Sequence, residues 1–282
     1  MKANAVSLDQ LVSSILGDLK LGKLELPVMP QVMQKINDMA SLPGVSIRNV
    51  ARIAATDAAL GGRLVQLANS PLISSGKSVD NIQTAIACLG IDKVKNLVAG
   101  IMAKQLFQTN NAGLKQTMQN LWAHSTQVAA ISVLLARRFT RISPDEAMLA
   151  GLLHDIGALP VLRYIEKTQV GSDIGDWLEK VNARIVPVVG RTILQAWKFP
   201  PQIVEAVAEH ENLHRDTEEI DLPDIVILAD LHSVIGTRHS RAKISWENLP
   251  AIRKLGLEPE QSIVMLREAR EELLMLQQIL SA

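Results

Sequence analysis

Cysteine is nearly missing from this chain: Cys88 is the only one in 282 residues. An intrachain disulfide is therefore excluded, and the usage fits a reducing cytoplasm. Cys88 lies in NIQTAIACLG, beside Ile82, Ala85, Ile86 and Leu89 at helical spacing, so a buried, inert thiol is expected. Aromatic residues are scarce too, at 3%. An excess of charge of either sign is absent: 29 basic side chains balance 29 acidic ones. A neutral chain carries no global electrostatic footprint for nucleic acid, which leaves only a local patch as a route to such binding. No window holds the ~18 uninterrupted apolar residues of a membrane span. MKANAVSLDQLVSSILGDL lacks a basic n-region followed by a long apolar core. It reads instead as an amphipathic helix through Leu8, Leu11, Val12, Ile15, Leu16 and Leu19. The expectation is a soluble, cytoplasmic protein that engages neither membrane nor nucleic acid.

What the chain has in quantity is apolar residues, 48% of the total, enough for a sizeable core. They recur at steps of three and four nearly everywhere, and strand-type alternation is rare, so an all-α fold is predicted. The punctuation supports this. Ser46 and Asp57 are placed to cap helices, Asn69-Ser70-Pro71 to end one, and a Gly/Ser/Lys loop (74–78) leads to a helix stopped by Gly90. TNNAG (109–113) is polar and glycine-containing, and marks the boundary between two subdomains. A long helix is predicted over about 115–139. Ser143, Pro144 and Glu146 then form a capping-box pattern for a helix that Gly157 and Pro160 should close. FPPQIVEAVAEHE (199–211) and DLPDIVILADLHSVIG (221–236) open two more helices with prolines, and a last amphipathic helix is predicted over about 259–280.

Five residues interrupt this apolar pattern with groups that ligate metals. His124 shares a row with Leu121, Val128, Ile131 and Leu135 and points into the core. It is either a hydrogen-bonded core histidine or a ligand. Asp230 interrupts IVILADLHSVI, a helix apolar almost all round. A buried ionised carboxylate costs several kcal/mol unless it is paired or coordinated, so an interior salt bridge and a metal ligand are both open. His210 shares a face with Ile203 and Val207, but Glu211 and Asn212 follow, which suggests a cleft residue near the surface. His154 and Asp155 are adjacent in GLLHDIGALP. Neighbours on a helix diverge by about 100°, so both reach one ion only at the helix end, with further ligands from helices before and after. His124 and Asp230 are such residues. Two imidazoles with two carboxylates suit one divalent iron, manganese, cobalt or zinc ion.

The ordered set His124, His154-Asp155, Asp230 resembles the HD superfamily of metal-dependent phosphohydrolases. The flanking sequence is similar to one branch, the HDOD domain, at LPVMPQVMQKINDMASLPGVSIRNVARIAATDAALGGRLVQLANSPL (26–72), TAIACLGIDKVKNLV (84–98), LWAHS (121–125), GLLHDIG (151–157), AWKFPPQIVEAVAEH (196–210) and ILADL (227–231). The resemblance implies an N-terminal HDOD helical subdomain (24–112) packed on an HD-like subdomain (113–236); outside it are expected the N-terminal amphipathic helix (1–23) and a C-terminal helical extension (237–282). It implies a bacterial signalling or regulatory role, with protein partners from a signalling pathway and a small phosphorylated ligand as candidates. The alternative is an active mononuclear phosphohydrolase with Asp155 in the catalytic role and His210 behind the metal or facing substrate.

Departures from the related HD-GYP branch argue against hydrolysis of cyclic di-GMP. That branch carries a lysine shortly after the HD pair, where this chain has Ala158. It has a further histidine where this chain has Val186 or a close neighbour, and its HHE segment is matched only by EHENLHRDTEEI (209–220). Arg163, Lys167 and Arg191 are candidate phosphate contacts, though each reads more simply as a solvated charge. SIRNVARIAATDAALGGRLVQLAN (46–69) superficially resembles a helix-turn-helix. Its second helix offers only Arg63, Gln66 and Asn69 to bases, so two packed bundle helices are expected.

Overall fold

A computed structural model describes residues 7–40, 44–70, 78–168, 174–237, 239–256 and 258–281. Among these residues the regular elements are all helical, as the spacing of the apolar positions requires. The chain forms two compact units, Met1–Pro27 with Leu106–Gln277, and Val28–Gln105 with Gln278–Ala282. Helix α1, Leu8–Lys20, opens the first unit. Its capping box is complete: Ser7 Oγ accepts from Gln10 N at 3.2 Å, and Gln10 Oε1 accepts from Ser7 N at 2.9 Å.

The second unit holds α2 (Gln31–Ala40), α3 (Ile47–Ala54), α4 (Ala58–Ala68), α5 (Ile82–Leu89) and α6 (Ile91–Leu106). Ser46 and Asp57 cap α3 and α4 as expected, through Asn49 N at 3.2 Å and Leu60 N at 2.9 Å. The loop expected at 74–78 falls, up to residue 77, outside the described residues. Asn69 is no base-reading side chain in this fold. Its Nδ2 donates to Val65 O and Val79 O, and its Oδ1 accepts from Val79 N, which fastens the entry to α5 onto the end of α4. Cys88 corrects an expectation: it is exposed. The short α5 buries Ala85, Ile86 and Leu89. At about 100° per residue, Cys88 lies some 60° outside that arc.

The first unit continues with α7 (Ala112–Phe139), α8 (Pro144–Leu153), α9 (Ala158–Thr168), α10 (Ile174–Ala196), α11 (Pro201–Glu209) and α12 (Leu222–Ser233), followed by α13 (Pro250–Leu255), α14 (Pro259–Glu268) and α15 (Arg270–Ser281), the last residues of which, from Gln278, count with the second unit. Ala269 divides the tail expected as one helix. Helix α7 packs along α8 and α12, α10 packs on α9, α11 and α1, and α13 packs on α12. Ser143 caps α8 by accepting from Glu146 N at 3.5 Å, but only this arm of the expected box forms. The Glu146 carboxylate instead accepts from Gln202 Nε2 at 3.4 Å. Pro160 also departs from expectation. The helix ends at Leu153, a turn covers 154–157, and Pro160 falls in the first turn of α9, where its missing N–H costs nothing.

Three glycines set how close these helices come. A Cβ on Gly151 would stand 2.7 Å from Ala129 Cα, so α8 lies almost against the backbone of α7. A Cβ on Gly157 would stand 2.1 Å from Val186 O, and one on Gly190 would stand 2.7 Å from Val207 Cγ1. The 154–157 turn is thus pressed into the middle of α10. Pro144–Thr168 is long and apolar enough to cross a membrane by composition, but its most apolar window is 89% buried inside the protein.

Helix α12 is buried at all twelve positions; eight are apolar, and the four polar ones, Asp224, Asp230, His232 and Ser233, find their partners inside the protein. Its N-terminus carries a capping box between Asp221 and Asp224. The Asp224 carboxylate, 0% exposed, takes Arg215 Nη1 at 3.0 Å and Lys254 Nζ at 2.6 Å. Near the other end, His232 Nδ1 donates to Leu228 O at 2.6 Å, and its Nε2 accepts from Ser262 Oγ at 2.9 Å, which anchors α14. The ring stands edge-on to Trp246 at 4.5 Å, and burial pushes its pKa down to about 4. Gly157→Ala should destabilise the protein by about 1–3 kcal/mol or more through overpacking against backbone. A lower urea midpoint in an otherwise helical variant is the expected result.

Candidate metal centre

The site lies within the first unit, where α7, the 154–157 turn, the end of α11 and the last turn of α12 meet. The turn presents His154 and Asp155 on consecutive residues because the α-helix has already ended at Leu153. Close approach at Gly151 brings α7 within reach, so His124 Nε2 lies 3.2 Å from His154 Nε2. From α12, Asp230 Oδ1 lies 3.2 Å from His124 Nε2. Asp155 Oδ2 is 3.3 Å from His154 Nε2 and 3.8 Å from His124 Nε2. The structure therefore gathers four of the five singled-out residues around one point. Ligand atoms of His124, His154 and Asp155 lie within 4.8 Å of one another, a group that could hold a metal ion.

His210 follows α11 directly. It is 0% exposed rather than near the surface, because the α11 end tucks beneath the turn. Its ring stands edge-on to that of His154 at 5.1 Å, and its Nε2 lies 3.5 Å from Asp155 Oδ1.

The ring tautomers follow from the hydrogen bonds. His154 Nδ1 faces Gly151 O at 2.7 Å, and His210 Nδ1 faces Val207 O at 2.8 Å. A carbonyl only accepts, so both Nδ1 atoms carry hydrogen. Ser233 Oγ spends its own hydrogen on Asp230 O at 2.7 Å and can accept from His124 Nδ1 at 3.4 Å. Each neutral ring then turns an Nε2 lone pair inward, the arrangement in which backbone partners orient metal-binding imidazoles. Two lone pairs 3.2 Å apart repel unless a proton or a cation lies between them. Asp155 Oδ1 and His210 Nε2 are buried and make no hydrogen bond. Such an orphaned pair is costly without a charge to satisfy it. Donor chemistry and orphaned atoms both fit a divalent cation.

Burial resists charge on the two inner histidines, yet Asp155 outweighs it and raises both His154 and His210 above the usual imidazole range. Burial also pushes Asp155 up, and His154 and His210 overcome it to hold that carboxyl well below its usual range. Asp230 shifts downward too: burial opposes, while His124 and Arg241 prevail.

A cavity of about 410 Å³ opens onto His124, Asp155 and Asp230, and its wall includes Asn120, Asn182, His239 and Arg241. Three of the residues around it escape sequence reasoning. Arg241, in the short 3-10 turn Ser240–Lys243, binds Asp230 Oδ2 and lies 3.2 Å from Glu211 Oε1. Asn182 Nδ2 donates to the same Glu211 oxygen at 2.9 Å. Glu211 had one available signal, its place next to His210. Asn182 and Arg241 had none, since neither interrupts an apolar pattern. The cations considered earlier do not line this cavity: Lys167 pairs with Glu25 at 2.8 Å and Arg191 with Glu209 at 3.3 Å.

A metal must compete with protons for these imidazoles. Because His154 and His210 are raised, they hold protons at a higher pH than a free imidazole does. Metal affinity should therefore weaken as pH falls through their raised range, beginning above the free-histidine value of 6.5. Titrations of metal-free protein with manganese at a series of pH values would show this, with protons released on binding.

The HDOD domain profile matches residues 26–213. A crystal structure from Shewanella amazonensis, of a protein named as a candidate metal-dependent phosphohydrolase, superposes with a TM-score of 0.80 at 27% identity, over 97% of each chain. An HDOD domain protein of unknown function from Geobacter sulfurreducens gives 0.68 at 22% identity, over 97% of this chain and 98% of that one, a likeness of fold. An uncharacterised protein of Treponema pallidum is 23% identical over 210 residues, which is 69% of this chain and 39% of that protein. The chain thus spans about two fifths of that relative's length. With the profile covering most of the sequence and the helical architecture in agreement, the chain belongs to the HDOD family.

Proposed function

We propose that this chain is a regulatory HDOD protein of a bacterial signalling pathway, whose pocket holds one divalent metal through His124, His154, Asp155 and Asp230. It would act by binding a partner protein or a small phosphorylated ligand. The observation that carries the metal is the pair of facing Nε2 atoms, 3.2 Å apart, beside a buried carboxylate oxygen with no hydrogen bond. The mixed nitrogen and oxygen donors suit iron, manganese, cobalt or zinc. Binding rather than turnover is supported by what surrounds the pair. Ala158 and Val186, at or near the places where the HD-GYP branch has its lysine and further histidine, are both 0% exposed and apolar. Neither offers a phosphate contact or a ligand.

A second reading, hydrolysis of a phosphate ester, rests on the cavity. At about 410 Å³ it has the size of a small-molecule site and reaches Asp155 and Asp230. A divalent metal there would supply Lewis acidity toward a phosphoryl oxygen. The chain itself would contribute orientation from Asn120 and Asn182 and positive charge from Arg241.

Elemental analysis of untagged protein, purified without chelator beside Asp155→Ala, tests the metal. About one transition metal per wild-type chain, lost in the variant, is expected. No metal in the wild type after reconstitution with iron, manganese and zinc would remove the proposal. The loaded protein, incubated with a panel of nucleotides and phosphate esters, is expected to bind without turnover; sustained phosphate release would select the hydrolytic reading.

A further inference from the structure

We propose that Arg241 is a resident cation that fills the second half of this acidic pocket and limits it to one metal ion. The inference rests on the metal reading above and concerns the oxygens turned away from His124 and His154. Asp155 and Asp230 each divide their oxygens between two directions. Asp155 Oδ2 and Asp230 Oδ1 face His124 and His154 at 3.2–3.8 Å. The other two oxygens face elsewhere. Asp155 Oδ1 lies 3.5 Å from His210 Nε2, which is 3.8 Å from Glu211 Oε1. Glu211 Oε1 lies 3.2 Å from Arg241 Nη1, and the same nitrogen holds Asp230 Oδ2. One imidazole and three carboxylates thus make a second donor set that shares both aspartates with the first. Two cations about 3.5–4 Å apart are commonly held in this way.

The second set already has its cation. Three carboxylates with side chains only 4–12% exposed cannot all stay ionised without nearby positive charge. Asn182 supplies Glu211 with a neutral donor, and Arg241 supplies a permanent charge. The manner of contact also matters. An arginine that recognises one carboxylate ordinarily lays two nitrogens against its two oxygens. Here Nη1 alone touches oxygens of two different residues, while the buried Nε and Nη2 have no hydrogen-bond partner. The guanidinium is used as a point charge between Glu211 and Asp230, the role a metal ion would have. An oxygen-rich set of this kind would favour a hard ion such as manganese.

Manganese content and electron paramagnetic resonance of the loaded, desalted full chain test this without any assay of activity. Wild type is expected to hold about one manganese per chain with the spectrum of an isolated ion. Arg241→Gln should hold about two, with the broadened spectrum of an exchange-coupled pair. Arg241→Lys should stay at one, and Arg241→Gln combined with Glu211→Gln should return to one. One manganese in Arg241→Gln, or two in wild type, overturns the role of Arg241. None in wild type overturns the metal reading itself. Should Arg241→Gln lose its helical circular dichroism, manganese must restore it, since the ion replaces the missing charge; a variant that stays unfolded at saturating manganese also overturns the proposal.

Discussion

A carboxylate carried into a helical core keeps its charge only if the fold brings positive charge or hydrogen to it, and Asp155 is the place where this chain meets that requirement. Asp155 is 5% exposed, flanked by His154 on its own turn and by His210 from the end of α11. His154 could not reach it from an uninterrupted helix, because successive side chains would diverge. The break after Leu153 is therefore as much a part of the site as the side chains are. Gly157 makes the break affordable, since no larger residue would let the turn lie against Val186.

The same electrostatic demand spreads outward. Asp230 enters the pocket from a helix with no exposed face, so its charge is answered within the pocket, by His124 on one oxygen and Arg241 on the other. At the opposite end of α12, Asp224 meets it with Arg215 and Lys254. Two buried acids, one at each end of one apolar helix, thus fix where α11, α13 and the 3-10 turn can lie. Both shells use bonds that become costly if one partner is removed, which gives this half of the protein a specific geometry rather than merely a packed one.

Much of this was legible in the sequence, for a physical reason: anything that interrupts a period stands out. Asp230 was conspicuous because residues 225–229 before it and Leu231 after it are all apolar, and His124 because its row was otherwise apolar. Helix starts at Ser46, Asp57 and Ser143 were readable because a cap is a local bond between residues three apart. What escaped reading depends on contacts between distant segments. Arg241 sits in an irregular stretch where a basic residue is unremarkable, and only the fold brings it to Asp230 and Glu211. Glu146 was drawn from its capping box to Gln202, a residue 56 positions away. Cys88 was misread because a helix of eight residues needs only a narrow buried arc, and matching spacing did not decide on which side of that arc it fell.

The separation of the site residues along the chain also orders events during synthesis. Pro144–Thr168, long and apolar enough by composition to cross a membrane, emerges from the ribosome just before α10 and well before α12, which later cover it. His124, His154 and Asp155 are then already present, but Asp230 follows 75 residues after Asp155 and Arg241 later still. Until that segment has been made, the acidic turn has no second carboxylate, no guanidinium and no lid of α12. The nascent chain must carry an apolar segment not yet covered by α12 for that interval, the kind of exposure that chaperones shield.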